Sequence, residues 1–293
     1  MAGRENFMHQ RNAAQIWATG SIIGHYLLRR HSIELPIELK TDLSRTLIGE
    51  NGAKAPEGIR QFASGNLRIT CHTRNPRQAL DDLLSDPDAS LTNTGAEVLK
   101  HDGTTTLATV ACGEHNLVVK RYNTKNAWHR LRRIARRSRA ENCWVFTQVL
   151  QHLNVPTAPA VAWVQEAHSG LKGRSWFVSE FVDGISCLDY LKRDVPHAEI
   201  EKTLSEIVRI LCKLRDKHIS HGDLKATNIL LSDQGPVLID LDAMRQHKTE
   251  TTYQQAARKD INRFLRNWQD NPVLLATARQ LLSAQGFPTD SRF

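Results

Sequence analysis

The sequence predicts an α+β fold, with an antiparallel sheet and one helix ahead of a short, mostly helical C-terminal part. Three segments of strand character, residues 97–101, 104–111 and 117–122, follow one another with short turns and lead into a stretch with helical periodicity. Further on, apolar residues from Ile200 to Leu214 form a helical stripe that leads into a polar loop. A predicted hairpin, residues 229–239, follows this loop.

The polar loop, HGDLKATN at residues 221–228, has the layout of a loop that catalyses phosphoryl transfer, and we call it the catalytic loop. Such a transfer needs a carboxylate beside the attacking hydroxyl, here Asp223, and an amide oxygen that can hold Mg²⁺, here Asn228. The hairpin brings Asp240 to the same end as Asn228 as a second metal ligand. Lys225 is placed to offset charge on the transferring phosphoryl group. The alternative is that these residues only form turns, but four polar positions in one register favour catalysis.

The catalytic loop, together with LIDLDAM at residues 238–244, resembles the lipopolysaccharide core kinases, the WaaP and Kdo-kinase group of protein-kinase-like enzymes. The resemblance implies a bilobal protein-kinase-like fold, ATP with Mg²⁺ as the phosphate donor, and the lipopolysaccharide core glycolipid as the acceptor. It divides the chain into an N-terminal extension (1–78), an N-lobe (79–182) and a C-lobe (183–293). Gly222 stands where protein kinases have an arginine, which argues against control by activation-loop phosphorylation. His221 is expected to be buried and to brace the loop.

The resemblance also implies nucleotide-binding residues in the N-lobe. Lys120 closes an apolar strand where the kinase fold has the lysine that binds the α- and β-phosphates. Glu141 lies at the edge of the apolar face of a helix predicted between residues 127 and 149, and we expect it to form an ion pair with Lys120. A single glycine, Gly103, replaces the usual glycine-rich loop. The main chain of Glu180 and Val182 is expected to contact adenine at the hinge.

Basic residues dominate the opposite face of the same predicted helix. They recur at helical spacing between residues 125 and 139 without an interleaved acid, so this face is expected to attract an anion. A solvated charged face is the alternative. Because no aromatic residues for base stacking are interleaved among the arginines between residues 130 and 139, no nucleic acid is expected, and an anionic membrane surface or the acceptor glycolipid is preferred.

The N-terminal stretch, Ala13–Leu28, is expected to form an amphipathic helix that packs on the protein or lies on an anionic membrane. Polar residues interrupt it and it is shorter than a bilayer span, so it is interpreted as neither a signal peptide nor a transmembrane helix. The five cysteines are widely spaced and form no Cys-x-x-Cys motif, which indicates neither a disulfide framework nor a zinc site. These features predict a cytoplasmic protein, peripheral on the inner membrane if its basic surface binds there.

The 293 residues, 40% of them hydrophobic, are enough for one or two cores, and a net charge of +8 favours an anionic partner. We therefore expect an ATP-dependent kinase that phosphorylates a sugar hydroxyl, a heptose, of the lipopolysaccharide inner core. Three alternatives stay open at this point: an aminoglycoside-type phosphotransferase, a non-catalytic pseudokinase scaffold and a nucleic-acid-binding module. The first normally carries acidic patches for its cationic acceptor, the second would lack Asp223, Lys120 or Asp240, and the third does not explain the catalytic loop.

Overall fold

The computed structural model describes residues 58–73, 77–92, 96–113, 115–123, 137–168 and 171–289. The predicted N-terminal helix and residues 124–136 of the basic stretch lie outside these ranges. The described chain divides into two compact units. The first comprises its residues up to His152 together with Pro159–Phe181, and the second comprises Leu153–Ala158 and the residues from Val182 onward.

The first unit is built on one antiparallel sheet. Its strands are β1 (Ile59–Ser64), β2 (Leu67–His72), β3 (Ala96–His101), β4 (Thr105–Cys112), β5 (His115–Tyr122), β6 (Ala160–His168) and β7 (Leu171–Glu180). They lie in the order β1-β2-β6-β7-β5-β4-β3. Strands β3 to β5 follow the segments that alternation predicted. β1 pairs with β2, and β2 pairs with β6, so both strands belong to this sheet. They precede Ala79, where the sequence predicted the start of the N-lobe.

Helices cover both faces of this sheet. Helices α1 (Arg77–Ser85) and α2 (Pro87–Ser90) supply Leu80, Leu84 and other apolar side chains to a core that includes Val119 of β5. Helix α3 (Arg139–His152) contacts Tyr122 of the same strand, whose hydroxyl lies 3.3 Å from Cys143 Sγ. Positions 119 and 122 point to opposite faces because side chains alternate along a strand. Lys120 therefore shares the α3 face with Tyr122.

The start of α3 corrects the helix predicted between residues 127 and 149. Arg137 and Ser138 are not helical, and α3 begins at Arg139. The Ser138 hydroxyl accepts the amide of Glu141 at 3.2 Å, and the Ser138 amide donates to the Glu141 carboxylate at 3.4 Å. This reciprocal pair of hydrogen bonds is a capping box, which satisfies two amides at a helix N-terminus and so fixes where the helix begins. Helical periodicity alone does not mark this boundary, because the residues before it also have helix-compatible spacing.

The second unit is mostly helical and contains the catalytic loop. Its elements are β8 (Ile185–Ser186), α4 (Cys187–Leu191), α5 (His197–Arg215), β9 (Ile219–Ser220), β10 (Ile229–Ser232), β11 (Gly235–Leu238), β12 (Arg245–Gln246), α6 (Glu250–Arg266) and α7 (Pro272–Ala284). The predicted apolar stripe of α5 is buried, and this helix leads through a short turn to β9. Strands β10 and β11 form the predicted antiparallel hairpin, with Ile229 opposite Leu238. The second unit thereby brings the two ends of the hairpin to the catalytic loop.

Candidate active site

The catalytic loop holds three of the predicted site residues in contact with one another. It leaves β9, makes a short 3₁₀ turn at Ala226–Asn228 and enters β10. Asn228 donates from Nδ2 to the Asp223 carbonyl at 2.9 Å and lies 3.4 Å from its Oδ2. Lys225 Nζ lies 3.0 Å from the same Oδ2. The amide of Asn228 thus faces Asp223 with its nitrogen, which leaves its oxygen as the atom suited to a metal.

Asp240 lies two residues after the end of β11, in a strained backbone conformation. The amide of Ile239 donates to the carbonyl of Asn228 at 3.0 Å, so the hairpin keeps the two predicted metal ligands at one end. Asp240 itself has φ 60° and ψ 57°, the left-handed region that non-glycine residues rarely adopt. Such conformations cost of order 1–3 kcal/mol and cluster at functional sites. The strained backbone at Asp240 therefore supports the prediction that this residue belongs to the functional site.

A buried aspartate that sequence reasoning missed anchors the loop. Asp260 of α6 is 5% exposed, and its Oδ2 accepts the amides of His221 at 2.7 Å and Gly222 at 3.0 Å. Hydrogen bonds to an ionised acceptor are stronger than neutral ones. Asp260 stands 37 positions after Asp223 and belongs to no local motif. The sequence therefore offers only one indication that this side chain is buried, which is its position in the helical periodicity.

His221 is the buried, structural residue that the sequence predicted. It is 1% exposed, and its Nε2 donates to the Ile239 carbonyl at 3.2 Å, which ties the loop to the residue before Asp240. Burial lowers the pKa of His221, against the opposing effect of Asp260 and other nearby acids. The imidazole is therefore held neutral as a brace between the two segments.

Gly222 is required by its backbone geometry. Its φ is +81°, and a Cβ at this position would lie 2.4 Å from the carbonyl oxygen of Ala243. No side chain fits, so an arginine at this place is excluded by the packing of the loop. A positive charge reaches the loop from another element: Arg263 of α6 donates from Nη1 to the Gly222 carbonyl at 2.6 Å, and its Nε lies 3.4 Å from Asp223 Oδ1.

The predicted nucleotide-binding residues of the first unit lie on its sheet and on α3. Lys120 is on β5, with Nζ 5.3 Å from the centroid of the Tyr122 ring. Glu141, in the first turn of α3, is 7% exposed and places its carboxylate 3.3 Å from Lys172 Nζ. Lys172 on β7 is thus a partner of Glu141 that the sequence did not suggest. The ion pair between Lys120 and Glu141 stays a prediction.

The turn that contains Gly103 is held by its neighbour Asp102. The Asp102 carboxylate accepts the amides of Thr104 at 2.8 Å and Thr105 at 2.7 Å. A Cβ at Gly103 would meet no atom within 4 Å, so the glycine is not required by packing within the protein. Its predicted role at the phosphates stays a prediction.

The two hinge residues fall on either side of the boundary between the units. Glu180 ends β7, and its amide donates to the Pro159 carbonyl at 2.9 Å. This bond occupies the amide of Glu180, so the predicted main-chain contact of Glu180 with adenine would have to use its carbonyl oxygen. Val182 is the first residue of the chain after the first unit. Its contact with adenine remains a prediction.

Two members of the predicted basic stretch, Arg137 and Arg139, lie within the described ranges. Burial lowers the pKa of its guanidinium, and the negative charge of Glu141 opposes this effect. Arg139 stacks its guanidinium 4.5 Å from the centroid of the Tyr122 ring. These two arginines therefore pack against the first unit and do not form a free charged face.

The oxygen donors of Asn228 and Asp240 suit Mg²⁺, which prefers hard oxygen ligands and is usually held by one or two carboxylates together with substrate phosphates. Within the part of the chain that the structure describes, no three His, Cys, Asp or Glu side chains lie close enough to hold a metal by themselves. Across the same described ranges, no helix has both the length and the apolar character needed to cross a bilayer.

Comparison with known proteins gives matches that cover most of the chain. A family model described as the lipopolysaccharide kinase (Kdo/WaaP) family matches residues 89–284. A solved structure titled "WaaP in complex with acyl carrier protein" is 16% identical, with a TM-score of 0.47, and the similarity covers 75% of this chain and 96% of that one.

Two curated relatives match shorter stretches. The serine/threonine-protein kinase CLA4 of Eremothecium gossypii is 34% identical over 83 residues, 25% of this chain and 10% of that protein. The EKC/KEOPS complex subunit BUD32 of Debaryomyces hansenii is 36% identical over 63 residues, 22% of this chain and 24% of that protein. The matches therefore span between about a tenth and a quarter of the lengths of these relatives.

Proposed function

Since the chain belongs to the lipopolysaccharide kinase (Kdo/WaaP) family and is a kinase phosphotransferase, we propose that it transfers the γ-phosphate of ATP to a heptose hydroxyl of the lipopolysaccharide inner core. The observation that carries this proposal is the cluster of Asp223, Lys225 and Asn228 in one loop, with Lys225 Nζ and Asn228 Nδ2 on the same carboxylate oxygen. This cluster has the carboxylate, the cation and the amide that phosphoryl transfer to an alcohol requires.

Asp223 orients the acceptor hydroxyl and accepts its proton. Its carboxylate is 29% exposed, so it is open to a hydroxyl from solution, while Asp260 holds the amides of the two residues before it, His221 and Gly222. Lys225, with 48% of its side chain exposed, is free to turn toward negative charge on a phosphoryl group. The two side chains thus have separate tasks, proton removal and charge compensation.

Asn228 and Asp240 are the proposed Mg²⁺ ligands. Mg²⁺, when bound, neutralises charge on the phosphates and fixes their orientation. The amide of Asn228 is held by Asp223, and the carboxylate of Asp240 is aimed by its left-handed backbone. Lys120, supported by Glu141, is the proposed ligand of the α- and β-phosphates, and Gly103, Glu180 and Val182 are proposed to contact ATP through the main chain.

The charge of the chain supports an anionic acceptor. A net charge of +8 attracts the phosphates and carboxylates of a core glycolipid and repels a cationic aminoglycoside. The protein works at the cytoplasmic face of the inner membrane, where ATP and the glycolipid meet, and the basic residues from Lys125 to Arg136 associate with the anionic surface.

An acceptor panel tests this proposal. The purified protein is incubated with ATP and Mg²⁺ and, in parallel, with dephosphorylated core glycolipid, an aminoglycoside and a generic protein substrate, and tandem mass spectrometry locates any phosphate gained. The proposal predicts phosphate on a heptose of the glycolipid. Phosphate on the aminoglycoside or on the protein substrate, with none on the glycolipid, would refute it.

A further inference from the structure

Helix α6 contacts the catalytic loop through two side chains about one turn apart. Asp260 accepts the amides of His221 and Gly222. Arg263 donates to the Gly222 carbonyl at 2.6 Å and reaches Oδ1 of Asp223 at 3.4 Å. Residues three apart lie on the same helix face, so a single face of α6 holds the loop. Asp260 holds backbone amides, whereas Arg263 also reaches the carboxylate that acts on the acceptor.

The two oxygens of Asp223 are held by different groups. Oδ2 lies 3.0 Å from Lys225 Nζ and 3.4 Å from Asn228 Nδ2, both within the catalytic loop. Oδ1 lies near Arg263, which comes from a helix outside the loop. Because both oxygens have a donor, rotation of the carboxylate about its last bond is restricted. The orientation of Asp223 thus depends on Arg263 on one side and on loop residues on the other.

Lys225 and Arg263 differ in how firmly they can stay on this carboxylate. Lys225 has a compact charge on a flexible stem, and in the proposed function it turns to the phosphoryl group. Arg263 has a planar guanidinium, one nitrogen of which is fixed by the Gly222 carbonyl while another faces Asp223. Arg263 is therefore the cation that stays on Asp223 when Lys225 leaves it.

Gly222 explains why this cation comes from α6. With φ +81° and the Ala243 carbonyl 2.4 Å from a built Cβ, position 222 cannot carry a side chain next to Asp223. Arg263 supplies the positive charge beside Asp223 from the neighbouring helix, without phosphorylation of any residue.

We infer that Arg263 is a positioning residue, which keeps the Asp223 carboxylate oriented toward the acceptor hydroxyl while Lys225 is engaged with the phosphoryl group. This inference rests on the proposed function, in which Asp223 is the group that orients the acceptor. Arg263 acts through Asp223, so its loss lowers kcat and leaves the KM for ATP unchanged. A small misplacement of a reacting group can lower a rate by about 100-fold.

The test uses charge-matched variants of α6 in the full chain. Arg263→Gln removes the guanidinium, Arg263→Lys keeps the charge without the planar fork, and Lys259→Gln removes an equal charge from the exposed surface one turn earlier. We expect kcat to fall about 100-fold in Arg263→Gln and less in Arg263→Lys, with the KM for ATP within about twofold of the wild type. Lys259→Gln is expected to behave as the wild type.

A double-mutant cycle separates positioning from a structural role. Arg263→Gln is combined with Asp223→Asn, and the effect of losing Arg263 is expected to disappear in the Asp223→Asn background, because residues that act as a unit are not additive. An equal loss in both backgrounds would overturn the inference, and so would an unchanged kcat in Arg263→Gln or a raised KM for ATP as its only effect.

The cycle is measured with two acceptors, core glycolipid and water. Asp223 orients whichever hydroxyl attacks, so the slower hydrolysis of ATP also reports on Arg263. If ATP is hydrolysed in an Arg263-dependent way but the glycolipid gains no phosphate, the proposed acceptor is wrong and the role of Arg263 is supported. If the glycolipid is phosphorylated equally well by the wild type and Arg263→Gln, the acceptor is right and the inference is wrong.

Discussion

Replacement of Asp260 by alanine is expected to destabilise the catalytic loop. The amide of His221 loses its partner in a fully buried position, which costs about 2 kcal/mol, whereas the amide of Gly222 is partly exposed and loses about 1 kcal/mol because water can replace the bond. The total is about 3 kcal/mol. At roughly 2 °C per kcal/mol for a chain of this size, the melting temperature falls by about 6 °C.

Differential scanning calorimetry measures the melting temperature, and hydrogen exchange followed by mass spectrometry measures the protection of peptides that contain His221 and Gly222. Asp260→Asn keeps an acceptor oxygen and is expected to lose about half as much stability. Asp270→Ala, at an exposed position shortly after the same helix, is the control. If Asp260→Ala melts with the control and keeps its amide protection, Asp260 does not anchor the loop.

Three further perturbations follow from the same geometry. Asp240→Asn removes a proposed metal ligand and is expected to raise the Mg²⁺ concentration for half-maximal transfer at least about tenfold, whereas an unchanged titration would count against this ligand. Gly222→Ala forces a Cβ against the Ala243 carbonyl and is expected to lower the free energy of unfolding by about 2 kcal/mol or more in a denaturant titration; wild-type stability would show that the loop relaxes. Burial lowers the pKa of His221 below its ordinary 6.5, so on acidification the unfolded chain binds a proton that the folded chain does not. The free energy of unfolding is therefore expected to fall as the pH drops below about 6.5, and His221→Gln should reduce this dependence; an equal slope in both proteins would contradict the assignment.

The catalytic loop was predictable from the sequence because its parts are local. The spacing from Asp223 to Asn228 and the short hairpin after it determine which side chains meet, and both survive in the structure. The positions of β3, β4, β5 and α5 were predictable for the same reason, since alternation and helical periodicity are local signals.

The rest of the site depends on contacts between distant segments. Asp260 and Arg263 come from a helix whose sequence only predicts an amphipathic element, and nothing in the sequence indicates that its polar residues hold the loop. Lys172 reaches Glu141 only because β7 runs beside α3. The start of α3 is a different case, because the capping-box signature Ser138-x-x-Glu141 was present and outweighed by a longer periodic pattern.

The most direct test of the claim that Asp223 activates the acceptor hydroxyl is the rate of the chemical step in the variant Asp223→Asn. Single-turnover transfer from ATP to dephosphorylated core glycolipid is measured for the wild type and for Asp223→Asn, together with the affinity of each for Mg²⁺ and ATP. The account predicts a rate lower by about 1,000-fold in Asp223→Asn with nucleotide affinity retained. Transfer at the wild-type rate in Asp223→Asn would contradict it.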